Sequence, residues 1–262
     1  LAAQGATWVL IDEPVLALDL TSEQRAAFNV AWSRLAKAAP ELKIVVASYF
    51  GALRENLPLF FSLPAHAFHL DLVRAPEELD EVLDSIPREA ILSLGVVDGR
   101  NIWKNDFHRS LALLNKAKDR LGAERLWVAP SCSLLHTPVT LKNEVGLDAE
   151  FRGWMAFADE KIGEVVALSS LLHGSTETEV LEQNRRAIEQ RTRSPRIHNP
   201  AVTARLTTVR HEDAHRALPY AERRLAQQKR LRLPELPTTT IGSFPQTAEV
   251  RSMRARWKKG EL

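Results

Sequence analysis

Five short, unbroken apolar runs constrain this chain more than any other feature: residues 7–11, 43–49, 67–72, 91–97 and 126–129. They are continuous rather than alternating and contain many β-branched and aromatic residues, the pattern of strands buried on both faces. Such strands pair in parallel, and a parallel pair needs a crossover, so helices should lie between the runs. The sequence supplies them. Thr21 with Gln24 forms a capping box for a helix that runs to Ala39 and stops at Pro40. Pro76-Glu77-Glu78 opens another, the proline being tolerated in a first turn whose N–H has no partner anyway. Residues 104–121 form a third, closed by Gly122. Runs begin about 20 to 40 residues apart, the length of one β-α unit. Five such units, with polar or acidic residues just past each strand, predict an α/β fold: part of a (β/α)8 TIM-type barrel, with its chemistry at that face. An open doubly wound sheet is the alternative, but no Gly-rich phosphate loop follows any run, which counts against its nucleotide-binding forms.

The strand pattern stops after Thr137-Pro138. Phe151, Trp154, Met155, Ala158, Ile162, Val165 and Leu172 recur mostly at helical steps, which predicts one amphipathic helix ending near Gly174. A second helix is expected from about Glu177 to Arg191, broken at Ser194-Pro195. Residues 199–233 read as charged helix, Pro234 and Pro237 punctuate its end, and Thr238 through Thr247 read as a new strand and loop. The expected layout is a partial barrel over 1–175, a helical connection over 176–237 and the start of another domain over 238–262. Leu1 in place of Met, and a terminal strand with little sequence behind it to pair with, predict an interior piece of a longer protein.

An apolar content of 45% with 26% charge is enough for a packed core. The formal charge is only +2, and the basic clusters at 216–232 and 251–259 come without a nucleic-acid-reading motif, so nucleic acid is not an expected partner. No apolar run reaches the roughly 18 residues of a membrane helix and no signal peptide is visible, so a membrane is not expected either. Cys132, the only cysteine, excludes an internal disulfide and fits a reducing, cytoplasmic setting.

Candidate chemistry gathers at the predicted strand ends. Asp12-Glu13 directly after the first run could bind an amine or hydroxyl or serve as acid and base; equally, a loop acid can cap a neighbouring helix. Asp71 after the third run carries the same two readings, and Asp98-Gly99 reads as a turn. Cys132 as a lone thiol is either inert or reactive; with His136 it makes only two ligands, too few for zinc. His66, His69 and His108 lack partners at ligand spacing and read as structural. In Ile241-Gly242-Ser243, glycine permits close backbone approach, and the following N–H groups with the Ser243 hydroxyl can hold a carboxylate.

Together these segments resemble the cobalamin-independent methionine synthases. The residues that carry the likeness are Ile11-Asp12-Glu13-Pro14-Val15-Leu16, Ser48-Tyr49-Phe50-Gly51, Leu94-Gly95-Val96-Val97-Asp98-Gly99-Arg100-Asn101, Leu126-Trp127-Val128-Ala129-Pro130-Ser131-Cys132-Ser133-Leu134, Trp154-Met155-Ala156-Phe157-Ala158 and Thr239-Thr240-Ile241-Gly242-Ser243-Phe244-Pro245-Gln246-Thr247. The resemblance implies a duplicated barrel: a first barrel that lost its metal, a helical connection and a second, catalytic barrel. This chain would then be the last β-α units of the first barrel, the connection and the first strand of the second. Implied too is zinc-dependent methyl transfer from 5-methyltetrahydrofolate polyglutamate (5-methyltetrahydropteroyltri-L-glutamate) to L-homocysteine, giving L-methionine, by a protein monomeric at full length.

At the positions corresponding to the family's zinc ligands stand Val46, Ser48, Asp71 and Cys132; valine cannot ligate and serine is a poor zinc ligand. Cys132 and Asp71 are therefore expected to be relics, with the zinc ligands outside this chain. The family's proton-donating histidine falls at Arg100. Ile241, Gly242 and Ser243 match its homocysteine contact, Asp12 and Glu13 copy a homocysteine-binding acid of the second barrel, and the first barrel's folate contacts lie upstream of Leu1. No catalytic residue is expected in this stretch, which is mainly scaffold. The rival readings are a non-catalytic barrel-like binding module and a uroporphyrinogen-decarboxylase-like or corrinoid-linked methyltransferase. Residues 241–247 after a helical connection argue against the last, whose members resemble a single barrel.

Overall fold

The computed structural model describes residues 1–176, 178–238 and 246–261. They divide into two compact units, Leu1–His198 and Asn199–Leu262.

In the first unit the apolar runs form β1 (Trp8–Asp12), β2 (Lys43–Ala47), β3 (Ala67–Asp71), β4 (Ile91–Val97) and β5 (Leu126–Pro130). They make one sheet in the order β1-β2-β3-β4-β5, and every pairing is parallel. Between them lie α1 (Ser22–Ala38), α2 (Leu57–Ser62), α3 (Leu79–Ser85) and α4 (Phe107–Leu121). Because strand order never reverses, right-handed crossovers put every helix on the same face. The contacts agree, with α2 touching α3 and α3 touching α4 in a single layer. Phe68 of β3 points to that layer, its ring 5.1 Å from Phe60 and 5.0 Å from Phe61. His69, one residue on, turns the other way and joins Ser93 through Nδ1 at 2.9 Å.

The sheet is strongly curved. Across five flat strands the outer two would stand about 19 Å apart at the usual inter-strand spacing, yet Trp8 of β1 and Trp127 of β5 meet edge to face with centroids 5.0 Å apart. Curvature of this kind belongs to a barrel wall and not to an open doubly wound sheet. It has a local requirement at Gly95, where a Cβ would lie 2.6 Å from the Leu70 carbonyl oxygen, 2.8 Å from Ser131 Cα and 3.0 Å from the His69 ring. On the outer strands Leu10 is 56% exposed and Trp127 37%, whereas all of β3 is buried.

Past β5 the structure departs from the single helix that apolar spacing predicts. Asp148 caps α5 (Ala149–Trp154), the chain leaves helix at Met155, and α6 (Ala158–Leu172) starts afresh. The break has a cause. Trp154 accepts from the Lys104 N–H and Ala156 donates to the Ile102 carbonyl, so residues 154–156 pair with the β4–α4 loop instead of continuing the helix. The buried face of α6 keeps Leu172 and the half-buried Val165 of the stripe that spacing suggests, but Ile162 is 53% exposed and Lys161 and Glu164 are buried instead. α7 (Thr178–Arg193) packs on α4 and α5, within the compact unit that runs to His198.

The second unit contains α8 (Pro200–Thr207), capped by Asn199, α9 (Tyr220–Leu231) and α10 (Ala248–Lys258), capped by Thr247. None of its described residues is buried. The strand expected near residue 240 falls outside the described residues. Among the described residues no helix is long and apolar enough to cross a membrane.

Replacing Gly95 by alanine forces β3 and the β5 end apart. Urea unfolding of the Gly95→Ala chain should show a loss of about 1–3 kcal/mol, the usual cost of overpacking; an unchanged midpoint would mean that the approach of His69 and Ser131 does not constrain the wall.

Candidate functional site

Parallel strands wound in one direction bring their C-terminal loops to one rim, and here the loops after β2, β3, β4 and β5 are tied together there. Asp71 is the central tie. One carboxylate oxygen accepts from the Phe50 N–H at 3.0 Å, and the other accepts from Val73 and Arg74, each at 3.0 Å. The first of these bonds holds Phe50 at φ 77°, a left-handed conformation that costs a side-chain-bearing residue about 1–2 kcal/mol. The Phe50 ring stays 40% exposed. The Arg100 guanidinium lies over it at 4.6 Å, with Tyr49 and His136 edge-on at 4.6 and 5.7 Å.

The β4 and β5 loops interlock beside it. Gly99 donates to the Ser131 hydroxyl at 3.2 Å and sits so close to Cys132 that a Cβ would meet its carbonyl oxygen at 2.8 Å. Asp98 accepts from the Arg100 N–H and the Asn101 amide, confirming the turn read from Asp98-Gly99. Burial pushes the Cys132 thiol pKa up; the Ser131 hydrogen bond opposes it, and the Asp71 and Asp98 charges add to it. A thiol, not a thiolate, therefore stands here at neutral pH. His69 is pushed down by burial against weaker opposition from the Ser131 carbonyl and the Asp71 and Asp12 charges, so it sits neutral between Ser93 and Ser131.

The acid pair at the end of β1 divides its roles. Glu13 accepts from the Trp32 indole N–H at 3.1 Å, tying the strand end to α1, while Asp12 remains exposed on the rim. Tyr49 feels that position: burial, then the charges of Asp12 and Cys132, raise its pKa.

The residues that the family resemblance sets at zinc-ligand positions do not fit a zinc site. Val46 is packed in the core, Ser48 is buried with its hydroxyl unpartnered among the described residues, and both Asp71 oxygens are occupied by backbone N–H groups. Among the described residues no three His, Cys, Asp or Glu side chains gather closely enough to hold a metal ion. Ile241, Gly242 and Ser243 lie outside the described residues.

Spacing and motifs do not reveal one buried pair. Lys161 is fully buried on α6 and donates to the Asn101 side chain at 3.2 Å and the Trp103 carbonyl at 3.0 Å. Glu164, one helical turn on, accepts from the Asn105 N–H at 2.9 Å.

A curved, sequentially ordered parallel sheet with its polar loops joined at the strands' C-terminal ends defines the class: part of a (β/α) barrel of the kind that builds sites on that rim. Residues 1–122 match the family described as cobalamin-independent synthase, N-terminal domain, and residues 236–262 match the cobalamin-independent synthase, catalytic domain. A 5-methyltetrahydropteroyltriglutamate–homocysteine methyltransferase of Xylella fastidiosa is 48% identical over 263 residues, covering 100% of this chain and 35% of its own length. A protein of the same name from Caulobacter vibrioides is 48% identical over 264 residues, covering 100% of this chain and 34% of its own. The chain belongs to the cobalamin-independent methionine synthase family. It spans about a third of the length of these curated relatives.

Asp71→Ala removes the acceptor of one bond from the β2 loop and of two within the β3 loop. Net hydrogen-bond values of about 1 kcal/mol each predict a loss of roughly 3 kcal/mol in urea unfolding, with Phe50 leaving its left-handed conformation in NMR. A loss under about 1 kcal/mol would show that the Asp71 bonds are incidental.

Proposed function

We propose that this chain is an interior portion of a methyltransferase that moves the methyl group of 5-methyltetrahydropteroyltri-L-glutamate to L-homocysteine, forming L-methionine. In this reading residues 1–175 close the first barrel, residues 176–237 connect it onward, and residues 238–262 begin the catalytic barrel. The observation that carries it is colinearity: relatives bearing that activity in their names match this chain from end to end, and the catalytic-domain match begins at residue 236.

The division of labour follows from the rim. At Asp71 a carboxylate in a ligand position serves as a backbone tie, and at Cys132 burial keeps the sulfur protonated, so these two residues are relics of a metal site. The zinc that the family implies belongs to ligands outside this chain, and no step here runs through it. Ile241, Gly242 and Ser243 are the segment's contribution to substrate: backbone N–H groups and the Ser243 hydroxyl hold the amino-acid end of homocysteine. Asp12, exposed beside Tyr49, is a secondary candidate for contact with a polar ligand, whereas Glu13 is committed to Trp32. The protein is read as a cytoplasmic monomer at full length, without nucleic-acid or membrane partners.

Methyl-transfer assays on the chain by itself, with and without added zinc, should give no turnover; activity comparable to a full-length relative would overturn the scaffold reading. In the full-length protein, Ser243→Ala should raise the KM for homocysteine about tenfold, the cost of one hydrogen bond to a charged group. An unchanged KM would remove Ser243 from the substrate contacts.

A further inference from the structure

Two ionisable side chains that no part of the proposed reaction uses are buried side by side on α6, and both grip the same loop. Lys161, fully buried, donates to the Asn101 side-chain oxygen and to the Trp103 carbonyl. Glu164, only 9% exposed, accepts from the Asn105 N–H through one oxygen, while its other oxygen is buried without a hydrogen-bond partner among the described residues. The gripped segment follows directly on Arg100, whose guanidinium covers Phe50 on the rim. We propose that Lys161 and Glu164 form a proton-operated clamp on residues 101–105, closed while Glu164 carries a proton and loosened when it ionises, which couples the order of the Arg100 loop to pH.

The physical basis is the unpartnered oxygen. A buried carboxylate with one unsatisfied oxygen favours its neutral form, or favours opening that admits water. The surroundings do not cancel this. The Asn105 N–H bond, then Lys161 on the same helix and Lys104 in the loop, favour the charged form, and Glu160 opposes it. Asp98 attracts Lys161, whose own charge burial disfavours. From α4 the neighbour in the network is the neutral Ser110, bonded to the Asn105 amide, and from α7 the neutral Asn184, bonded to the Asn105 carbonyl. Burial outweighs the rest, and the Glu164 carboxyl is pushed up to about 7 from 4.5. The sign follows from linkage: the closed state binds the proton more tightly than an open, hydrated state, so raising pH through this window favours opening.

Amide exchange of the intact chain tests the clamp. Protection factors at Trp103 and Asn105, corrected for the intrinsic pH dependence of exchange, should fall on the order of tenfold per pH unit between about pH 5 and 7 and level off above about 8. In Glu164→Gln, which mimics the protonated acid, they should stay high and flat. Protection independent of pH in the unaltered chain, or the same slope in Glu164→Gln, would overturn the proposal. Should the variant fail to fold, NMR titration of the Glu164 carboxyl in the unaltered chain decides alone: a midpoint near neutrality that coincides with the loss of loop protection supports the clamp, and a midpoint in the ordinary carboxylate range overturns it.

Discussion

The meeting of Trp8 and Trp127 expresses the constraint on which the rest of the first unit depends: a parallel sheet of five strands that must curve rather than lie open. Curvature brings the loops after β2 through β5 onto one rim, close enough for a single carboxylate to bond two of them at once. It also explains why glycine stands at Gly95 and Gly99, since at both positions the next strand or loop passes where a side chain would be. His69 needs the same curvature, because its ring reaches Ser93 on the neighbouring strand and Ser131 beyond β5. A flatter sheet would lose these ties together, so the rim is an outcome of wall geometry and not an independent assembly of loops.

Much of this wall was legible because doubly buried strands leave a signal that needs no tertiary knowledge. Continuous apolar runs give the strands, and Thr21 with Gln24 gives the start of α1, where both reciprocal hydrogen bonds are present. The region after β5 was not legible in the same way. Residues 151–172 carry apolar side chains at helical spacing, but backbone bonds from Trp154 and Ala156 to a loop some fifty residues earlier break the helix, and periodicity has no access to a long-range pairing. The inward face of α6 was hidden for a related reason. Apolar spacing favours Ile162, whereas the loop beneath the helix presents carbonyl and amide groups that a lysine and a glutamate can satisfy. Polar residues read as a solvated face unless the partner loop is known.

Of the rim acids, sequence leaves each with two meanings, and hydrogen bonding separates them. Asp71 is consumed by structure through both oxygens, which backbone N–H groups occupy, whereas Glu13 gives one oxygen to an indole N–H. Asp12 has no such obligation and stays exposed. A carboxylate that bonds backbone donors stabilises loops even when it serves no reaction, because each charge-assisted bond fixes the N–H it satisfies. That is a sufficient reason for an acid to stand at the end of β3.

The same reasoning places Lys161 and Glu164 apart from the other ties. Asp71 bonds with both oxygens and sits at no cost in unsatisfied groups, whereas Glu164 leaves one oxygen bare inside the protein. Replacing buried ionisable groups by well-packed apolar residues is often neutral or stabilising, so rigidity by itself does not require Lys161 and Glu164 here. What an apolar pair could not do is bond the Trp103 carbonyl and the Asn105 N–H, two groups that the irregular loop leaves without helix or sheet partners. The loop must be irregular because it carries the chain from the end of β4, past the close approach of Gly99 to Cys132, to the cap of α4. Burial of two ionisable groups under it is thus the consequence of a curved wall that forces a tight turn at its rim, and proton sensitivity is the chemical property that this arrangement cannot avoid.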